Sequence, residues 1–243
     1  MSLLQALRYS QKRILQKLQR GLWKFLRSMS DMKAVIFAGA KITDYGFCKE
    51  YLEGAKLLIC CDAGLHHAKA LGLTPDYIVG DFDSVSQEVL EYYKEKNIPV
   101  CQFPVKKDET DMQLGIYLAL EQGATELVLF GGIGSRFDHS LANAHLLLGL
   151  LKKGIRTRLV DQNNCVELVD GPMTIHGKVG DLVSTIPLSM MVKGITLTGF
   201  EYPLTNRDLA LDDDMIAVSN VLAAEKASIY FTEGYLFVIR SKD

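Results

Sequence analysis

The stretch "DYIVGDFDSV", residues 76–85, joins a short apolar run to two carboxylates. Tyr77, Ile78 and Val79 follow one another without a polar residue, which predicts a strand that is buried on both faces. Strands of this kind belong to parallel sheets covered by helices. Because ligands of such sheets bind beyond the carboxyl ends of the strands, the acidic residues after the run lie where a functional site is expected.

Similar runs alternate with segments of helical length from Lys33 to about residue 152. The apolar runs are "AVIFAG" (34–39), "LLICC" (57–61), "DYIVG" (76–80), "IPVCQF" (98–103) and "ELVLFGG" (126–132). Helices are predicted at 44–53, 65–71, 86–96, 110–122 and 139–152. This alternation predicts an α/β domain with a parallel, Rossmann-like sheet over residues 33–161.

After about residue 160 the helical periodicity stops, and short runs rich in β-branched and aromatic residues replace it. These runs are "CVELVD" (165–170), "MTIHG" (173–177), "DLVSTIPL" (181–188), "GITLTGF" (194–200), "MIAVSN" (215–220), "ASIYFTEG" (227–234) and "YLFVIRS" (235–241). Turn residues separate them, so residues 162–243 are predicted to form an antiparallel β-sandwich domain packed against the first half.

The charge and the cysteine content restrict which partners and which cellular location are expected. The first 30 residues hold seven basic side chains and no acidic one, and the whole chain has a net charge of −2, so residues 31–243 bear −9. An acidic body argues against a nucleic-acid partner. The five cysteines form no C-x-x-C pair and their number is odd, which favours reduced thiols and a cytoplasmic location.

Residues 1–32 form a basic leader with leucines at helical spacing. A membrane-surface anchor and an organelle transit segment are both compatible with such an amphipathic cationic pattern. We favour a third interpretation, an upstream extension that need not be native, because Met32 begins a segment typical of a domain start. Stable association with a membrane is not expected.

Asp81 and Asp83 are the first candidate metal ligands. In an extended chain residues i and i+2 point to the same side, so both carboxylates are expected to face one way and to repel by roughly 3 kcal/mol at about 5 Å. Mg²⁺ would relieve this repulsion. The alternative is helix capping, because Ser84 and Gln87 have the spacing of a capping box.

A second acidic cluster, Asp108, Thr110 and Asp111, follows the next predicted strand. Asp108 as the helix N-cap, with Asp111 at the third helical position, is the plain structural alternative. A parallel sheet would nevertheless bring this cluster to the same edge as Asp81 and Asp83. Two acidic clusters on one edge favour a bound cation, with Asp81, Asp83 and Asp111 as its ligands.

Two further turns follow predicted strands. Asp62 precedes Gly64, which permits a close approach to a ligand, although such a sequence is also ordinary turn chemistry. In "FGGIGSRFDHSLANAHLL" (130–147) backbone N–H groups around Gly132 could bind phosphate oxygens. Arg136 suits phosphate, and Asp138 and His139 lie beside it. The other histidines, His66, His67, His145 and His176, are interpreted as structural.

Four separated stretches resemble thiamine pyrophosphokinases of the bacterial type. They are "PDYIVGDFDSV" (75–85), "KDETDMQLGI" (107–116), "GGIGSRFDHSLANAHLL" (131–147) and "GITLTGFEYPL" (194–204), the last followed by "SN" (219–220). The resemblance runs from Lys33 to about Arg240. It implies an enzyme that uses Mg²⁺ and transfers a diphosphate group from ATP to the hydroxyl of thiamine, releasing AMP. It also implies a homodimer with thiamine sites between the α/β half of one subunit and the β half of the other.

The resemblance assigns roles to individual residues. The catalytic group is Asp81, Asp83, Thr110 and Asp111; the nucleotide-binding group is Asp62, Gly64, Gly132, Arg136, Asp138 and His139; the thiamine-binding group is Asp108, Ser219 and Asn220. The chain departs from the family pattern at Ala63, where glycine is frequent, and at Val221, where an acidic residue is frequent. A kinase that transfers one phosphoryl group and a non-catalytic thiamine or nucleotide sensor are the alternatives. The missing G-K-[ST] sequence disfavours the first, and the retained acidic residues disfavour the second.

Overall fold

The computed structural model describes residues 31–102, 109–212 and 217–242. The basic leader, apart from its last two residues, and Asp108 therefore lie outside the described residues. The helices are α1 (Cys48–Leu52), α2 (Gly64–Ala70), α3 (Gln87–Lys94), α4 (Asp111–Glu121) and α5 (Phe137–Lys152). Within the described ranges no helix is long and apolar enough to cross a lipid bilayer.

Six strands belong to the first half of the chain and eight to the second. The first six are β1 (Lys33–Phe37), β2 (Leu57–Cys61), β3 (Tyr77–Gly80), β4 (Val100–Gln102), β5 (Glu126–Phe130) and β6 (Arg156–Val160). The others are β7 (Asn164–Val169), β8 (Met173–His176), β9 (Leu182–Pro187), β10 (Met191–Thr198), β11 (Leu204–Ala210), β12 (Ala217–Val221), β13 (Lys226–Tyr230) and β14 (Leu236–Ser241).

A ten-stranded mixed sheet runs through both halves, in the order β12-β9-β14-β7-β6-β5-β1-β2-β3-β4. Strands β1 to β6 pair in parallel, and β7, β14, β9 and β12 continue the sheet in antiparallel pairs. A second, antiparallel sheet has the order β11-β10-β13-β8. The predicted fold class is confirmed, but the two halves share one continuous sheet through the pairing of β6 with β7, which the sequence did not indicate.

Helices cover both faces of the parallel strands. In β1, Ile36 packs with the cluster that contains Met112 of α4, whereas the neighbouring Phe37 packs with the cluster that contains Leu65 of α2. Both β1 side chains are fully buried, which explains the unbroken apolar run in the sequence. In the second half, a third core contains Val238 of the large sheet and residues of the small sheet, as in a sandwich.

The strands β6 and β11 were missed by the sequence prediction because they are rich in charged or polar residues. In β6, Arg158 contacts Glu126 of β5 at 3.1 Å and Glu167 of β7 at 3.2 Å. These ion pairs between neighbouring strands compensate the charge of an arginine in the middle of the sheet. Apolar periodicity cannot reveal such a strand, because its partners come from other segments of the chain.

The starts of α3 and α4 correct two predictions. Ser86, not Ser84, is the N-cap residue of α3, and its side chain makes no capping bond. Thr110 is the N-cap of α4 and forms a capping box with Gln113, with distances of 3.3 Å and 2.8 Å. Asp108 is therefore not the N-cap, and Asp111 occupies the first helical position, not the third.

Candidate active site

Four aspartates lie at the carboxyl ends of neighbouring parallel strands. Asp62 follows β2, Asp81 and Asp83 follow β3, and Asp111 begins α4 after β4. Carboxylate oxygens of Asp62, Asp81 and Asp83 lie within 4.8 Å of one another, and these three residues are called the acidic cluster below. The structure thus unites Asp81 and Asp83, which were predicted to bind metal, with Asp62, which was predicted to bind the nucleotide.

The geometry that unites these carboxylates is a turn and not an extended chain. Phe82 has a φ of 66° and Asp62 a φ of 44°, both in the left-handed region. The Phe82 N–H donates to Oδ1 of Asp62 at 3.1 Å, and the Asp83 N–H donates to Oδ1 of Asp81 at 3.2 Å. The alternation argument for Asp81 and Asp83 was therefore wrong. Left-handed backbone at non-glycine residues is costly and is concentrated at functional sites.

Ser84 belongs to this acidic turn. Its hydroxyl donates to Oδ1 of Asp83 at 2.7 Å, so it orients a candidate ligand instead of capping a helix. His66 reaches the same loop from α2, where its Nε2 accepts the Ser86 N–H at 3.4 Å. The loop between β3 and α3 is therefore held by the helix that follows Asp62.

Electrostatics favour a cation in the acidic cluster. The pKa of Asp62 is raised to about 7, chiefly by burial and then by a hydrogen bond with the Asp111 carboxyl, while the hydrogen bond from the Phe82 N–H acts in the opposite direction. None of the ion pairs found among the described residues involves Asp62, Asp81 or Asp83. Oxygen ligands that are this close and lack a basic neighbour suit Mg²⁺, which prefers carboxylates and phosphate oxygens.

The turn after β5, residues 131–134, is called the glycine turn and lies against the loop after β1. The Ala38 N–H donates to the Phe130 carbonyl at 2.8 Å, and the Ala40 N–H donates to the Gly131 carbonyl at 3.0 Å. The chain leaves β1 towards β2 on one side, and β5 lies on the other, so this is the switch point of the sheet. In open α/β sheets the crevice at such a point is where ligands bind.

Two of the predicted nucleotide-binding glycines are closely packed, Gly64 against backbone and Gly132 against side chains. At Gly132 a Cβ would lie 2.6 Å from Cδ1 of Leu159, and at Gly64 it would lie 2.1 Å from the Phe37 carbonyl oxygen. Gly64 therefore allows α2 to approach β1 closely, and the approach to a ligand is not needed to explain it. Buried Asn143, which the sequence analysis missed, donates to the Gly132 carbonyl at 2.8 Å. The sequence feature that could have indicated Asn143 is an amide side chain on the buried side of α5.

Arg136, Asp138 and His139 are exposed at the start of α5. The Arg136 guanidinium makes two bonds to the Asp138 carboxylate, from Nη2 at 2.6 Å and from Nε at 3.3 Å. These bonds lower the pKa of Asp138. A planar cation next to the glycine turn is available for phosphate, because an exposed pair of this kind costs little to open.

Ser219 and Asn220 lie in β12. Ser219 is exposed and has a φ of 57° at an irregularity in the pairing of β12 with β9. Asn220 is buried, with its Oδ1 accepting the Tyr202 N–H at 3.1 Å and its Nδ2 donating to the Tyr202 carbonyl at 2.8 Å. At about 4.8 Å per strand, eight strand spacings separate β12 from β3 by roughly 40 Å along the sheet.

A parallel sheet with clustered carboxylates and a glycine turn at its carboxyl edge suits an enzyme that binds phosphate groups together with a divalent cation. Family models for the thiamin pyrophosphokinase catalytic domain and for its vitamin B1 binding domain match residues 48–159 and 173–236. The chain belongs to the thiamine pyrophosphokinase family and is an enzyme of that type.

Individual relatives agree with this assignment. Thiamine pyrophosphokinase of Bacillus subtilis is 32% identical over 195 residues, 79% of this chain and 91% of its own. Thiamine pyrophosphokinase 1 of Arabidopsis thaliana is 25% identical over 218 residues, 78% of this chain and 80% of its own. The crystal structure of the Bacillus subtilis protein has a TM-score of 0.79 at 31% identity, and the match covers 87% of this chain and 99% of that one.

Proposed function

We propose that the protein transfers a diphosphate group from Mg-ATP to the hydroxyl of thiamine, giving thiamine diphosphate and AMP. The observation that supports this most directly is the convergence of Asp62, Asp81 and Asp83 within the catalytic domain match, at the edge that also bears the glycine turn. In this reaction the hydroxyl oxygen forms a bond to the β-phosphorus. The bond from that phosphorus to the oxygen bridging to the α-phosphate breaks, and AMP leaves with that oxygen.

The chain's own residues provide binding, orientation and charge. Asp81, Asp83 and Asp111, with Asp62 hydrogen-bonded to Asp111, would hold Mg²⁺. When bound, Mg²⁺ would neutralise the charge of the triphosphate. Arg136 would add positive charge at the phosphates. Asp83 or Asp111 would accept the hydroxyl proton, although carboxylates engaged with a cation are weak bases.

Other roles follow from the resemblance. Gly132, Asp138 and His139 would contact the nucleotide, with Thr110 at the start of α4 beside the phosphates. Asp108, which lies outside the described residues, would contact thiamine. The cytoplasmic location stays a prediction that rests on the cysteine content.

The decisive experiment is incubation of the purified chain with thiamine and Mg-ATP while AMP and thiamine diphosphate are quantified together. We expect equal amounts of the two products, and none without thiamine. Formation of ADP and thiamine monophosphate would instead support a kinase that transfers a single phosphoryl group.

We also propose that the active enzyme is a homodimer with shared sites. Ser219 lies in β12, eight strand positions from β3 in the large sheet, which favours a thiamine site completed by a second subunit over one formed within a single chain. A second subunit could place its β12 beside the acidic cluster of the first. This arrangement has the two-fold symmetry typical of homodimers.

Mixing two inactive variants tests the shared site. Asp81→Asn removes a carboxylate from one half, and Ser219→Tyr fills the other half at an exposed position. In each mixed dimer one of the two sites would be free of substitutions, so co-expression should restore about a quarter of the wild-type activity. Each variant alone is the control. Failure of the mixture to exceed the two separate variants would contradict a site built from two subunits.

A further inference from the structure

His67 is a buried polar residue that has no role in the proposed reaction. It lies in α2 and is only 6% exposed. Its ring lies near the rings of Phe37 and Tyr45, with centroid distances of 6.1 Å and 5.8 Å. A histidine in the core would be costly unless both ring nitrogens had partners.

Both ring nitrogens are bonded, and the partners determine the tautomer. Nε2 lies 2.9 Å from the Ala40 carbonyl oxygen, and Nδ1 lies 2.8 Å from the hydroxyl of Tyr45. Because a carbonyl oxygen only accepts, Nε2 must bear the proton. Burial lowers the pKa of His67, which favours the neutral ring, and in a neutral ring protonated at Nε2 the Nδ1 atom accepts the hydrogen bond from the Tyr45 hydroxyl. The order of donors is therefore Tyr45 to His67 to Ala40.

Ala40 connects this chain of hydrogen bonds to the glycine turn. While its carbonyl accepts from His67, its N–H donates to the Gly131 carbonyl at 3.0 Å. Its methyl group packs so closely on the turn that a Cβ at Gly134 would lie 2.8 Å from it. A shift of Ala40 towards the turn would therefore displace the backbone of residues 131–134, and a shift away from it would break the bond to the Gly131 carbonyl.

We propose that His67 and Tyr45 are positioning residues that hold Ala40 against the glycine turn and so preset that turn for the phosphates of a nucleoside triphosphate. The inference rests on the proposed function, because it takes the glycine turn as the nucleotide site. Preset backbone donors lower the ordering cost of binding. Substitutions at His67 are therefore expected to weaken nucleotide binding more than thiamine binding or turnover.

Two substitutions by amide side chains separate the two hydrogen bonds. The longer Gln in His67→Gln can place an N–H donor near the position of Nε2, whereas the shorter Asn in His67→Asn places its amide near the position of Nδ1 and has no donor that reaches the Ala40 carbonyl. We expect His67→Asn to raise the KM for ATP about tenfold, as the loss of a buried hydrogen bond would. The kcat and the KM for thiamine should stay within about twofold. His67→Gln should restore most of the ATP affinity.

His145→Gln is the matched control, because His145 is exposed on α5 and its Nδ1 bonds the Leu141 carbonyl of the same helix. All kinetic constants of this variant should equal those of the wild type. Similar changes in kcat, in the KM for ATP and in the KM for thiamine of His67→Asn would overturn the proposal. Unchanged constants would overturn it as well. If His67→Asn fails to fold, Tyr45→Phe replaces it, with a rise of about threefold expected in the KM for ATP; an unchanged KM would then overturn the proposal.

Hydrogen exchange gives a readout that does not depend on turnover. In His67→Asn the amides of residues 131–135 should exchange faster than in the wild type, and those of His145→Gln should not. Unchanged exchange would contradict the proposal that His67 holds Ala40 against the glycine turn, even in an active enzyme. If the wild type itself made no thiamine diphosphate, the proposed function would fail, while the exchange measurement would still decide whether His67 holds the glycine turn.

Discussion

Asp81→Asn is expected to lower diphosphate transfer by about a thousandfold at saturating Mg²⁺, the loss typical of removing a central electrostatic group. The substitution keeps the shape of the side chain and removes one of three carboxylates whose oxygens lie within 4.8 Å of one another. The same change should raise the melting temperature of the metal-free protein, because it relieves repulsion among those charges. Opposite effects on activity and stability would separate a functional role from a structural one.

Turnover by product formation and thermal melting without metal are the two measurements. Glu91→Gln is the matched control, since Glu91 is exposed on α3 and its Oε1 bonds Gln87. It should leave the rate unchanged. Turnover of Asp81→Asn at the wild-type rate would show that the acidic cluster is not the metal site.

Gly80→Ala is expected to lower activity at least a hundredfold, chiefly because it displaces Asp62. Gly80 has a φ of 137°, and a Cβ there would lie 1.8 Å from Oδ1 of Asp62. Asp62 would have to move, and its bond from the Phe82 N–H would be lost. The three carboxylates would then no longer converge, although Gly80 itself offers no ligand.

Gly123→Ala separates backbone strain from this clash. Gly123 also has a positive φ, 91°, but no atom lies within 4 Å of the position of its Cβ. Its substitution should cost only about 1 kcal/mol of stability and no activity. Circular dichroism melting and Mg²⁺-dependent turnover of both variants provide the comparison. If Gly80→Ala were as active as Gly123→Ala, Asp62 would not need its observed position.

The alternating elements of the first half could be predicted because their signal is local. The run "YIVG" at 77–80 is apolar because Ile78 and Val79 are buried in different clusters, on opposite faces of the sheet. By contrast, apolar periodicity could not predict β6, because this strand contains Arg158, whose charge is compensated by glutamates from β5 and β7. Local periodicity reports burial, but it cannot report a partner that is distant in sequence.

The candidate site likewise has features that the sequence predicted and features that it did not. Asp81 and Asp83 were predicted as ligands from their place after a strand, yet the stated geometry was wrong because Phe82 adopts a left-handed turn. The roles proposed for Ser219 and Asn220 came only from the family resemblance. Their position, about eight strand spacings from β3, depends on the order in which the strands pair.

The sequence by itself therefore determined the α/β class, the strand-end positions of the carboxylates and the family, because each depends on local pattern or on motifs in a given order. Only the tertiary structure decided that Asp62 joins Asp81 and Asp83, that one sheet continues from β6 into β7, and that His67 contacts Ala40. The physical reason is that these contacts join segments far apart in the chain. Their distances follow from strand pairing and from backbone conformations that packing imposes, which no single segment specifies.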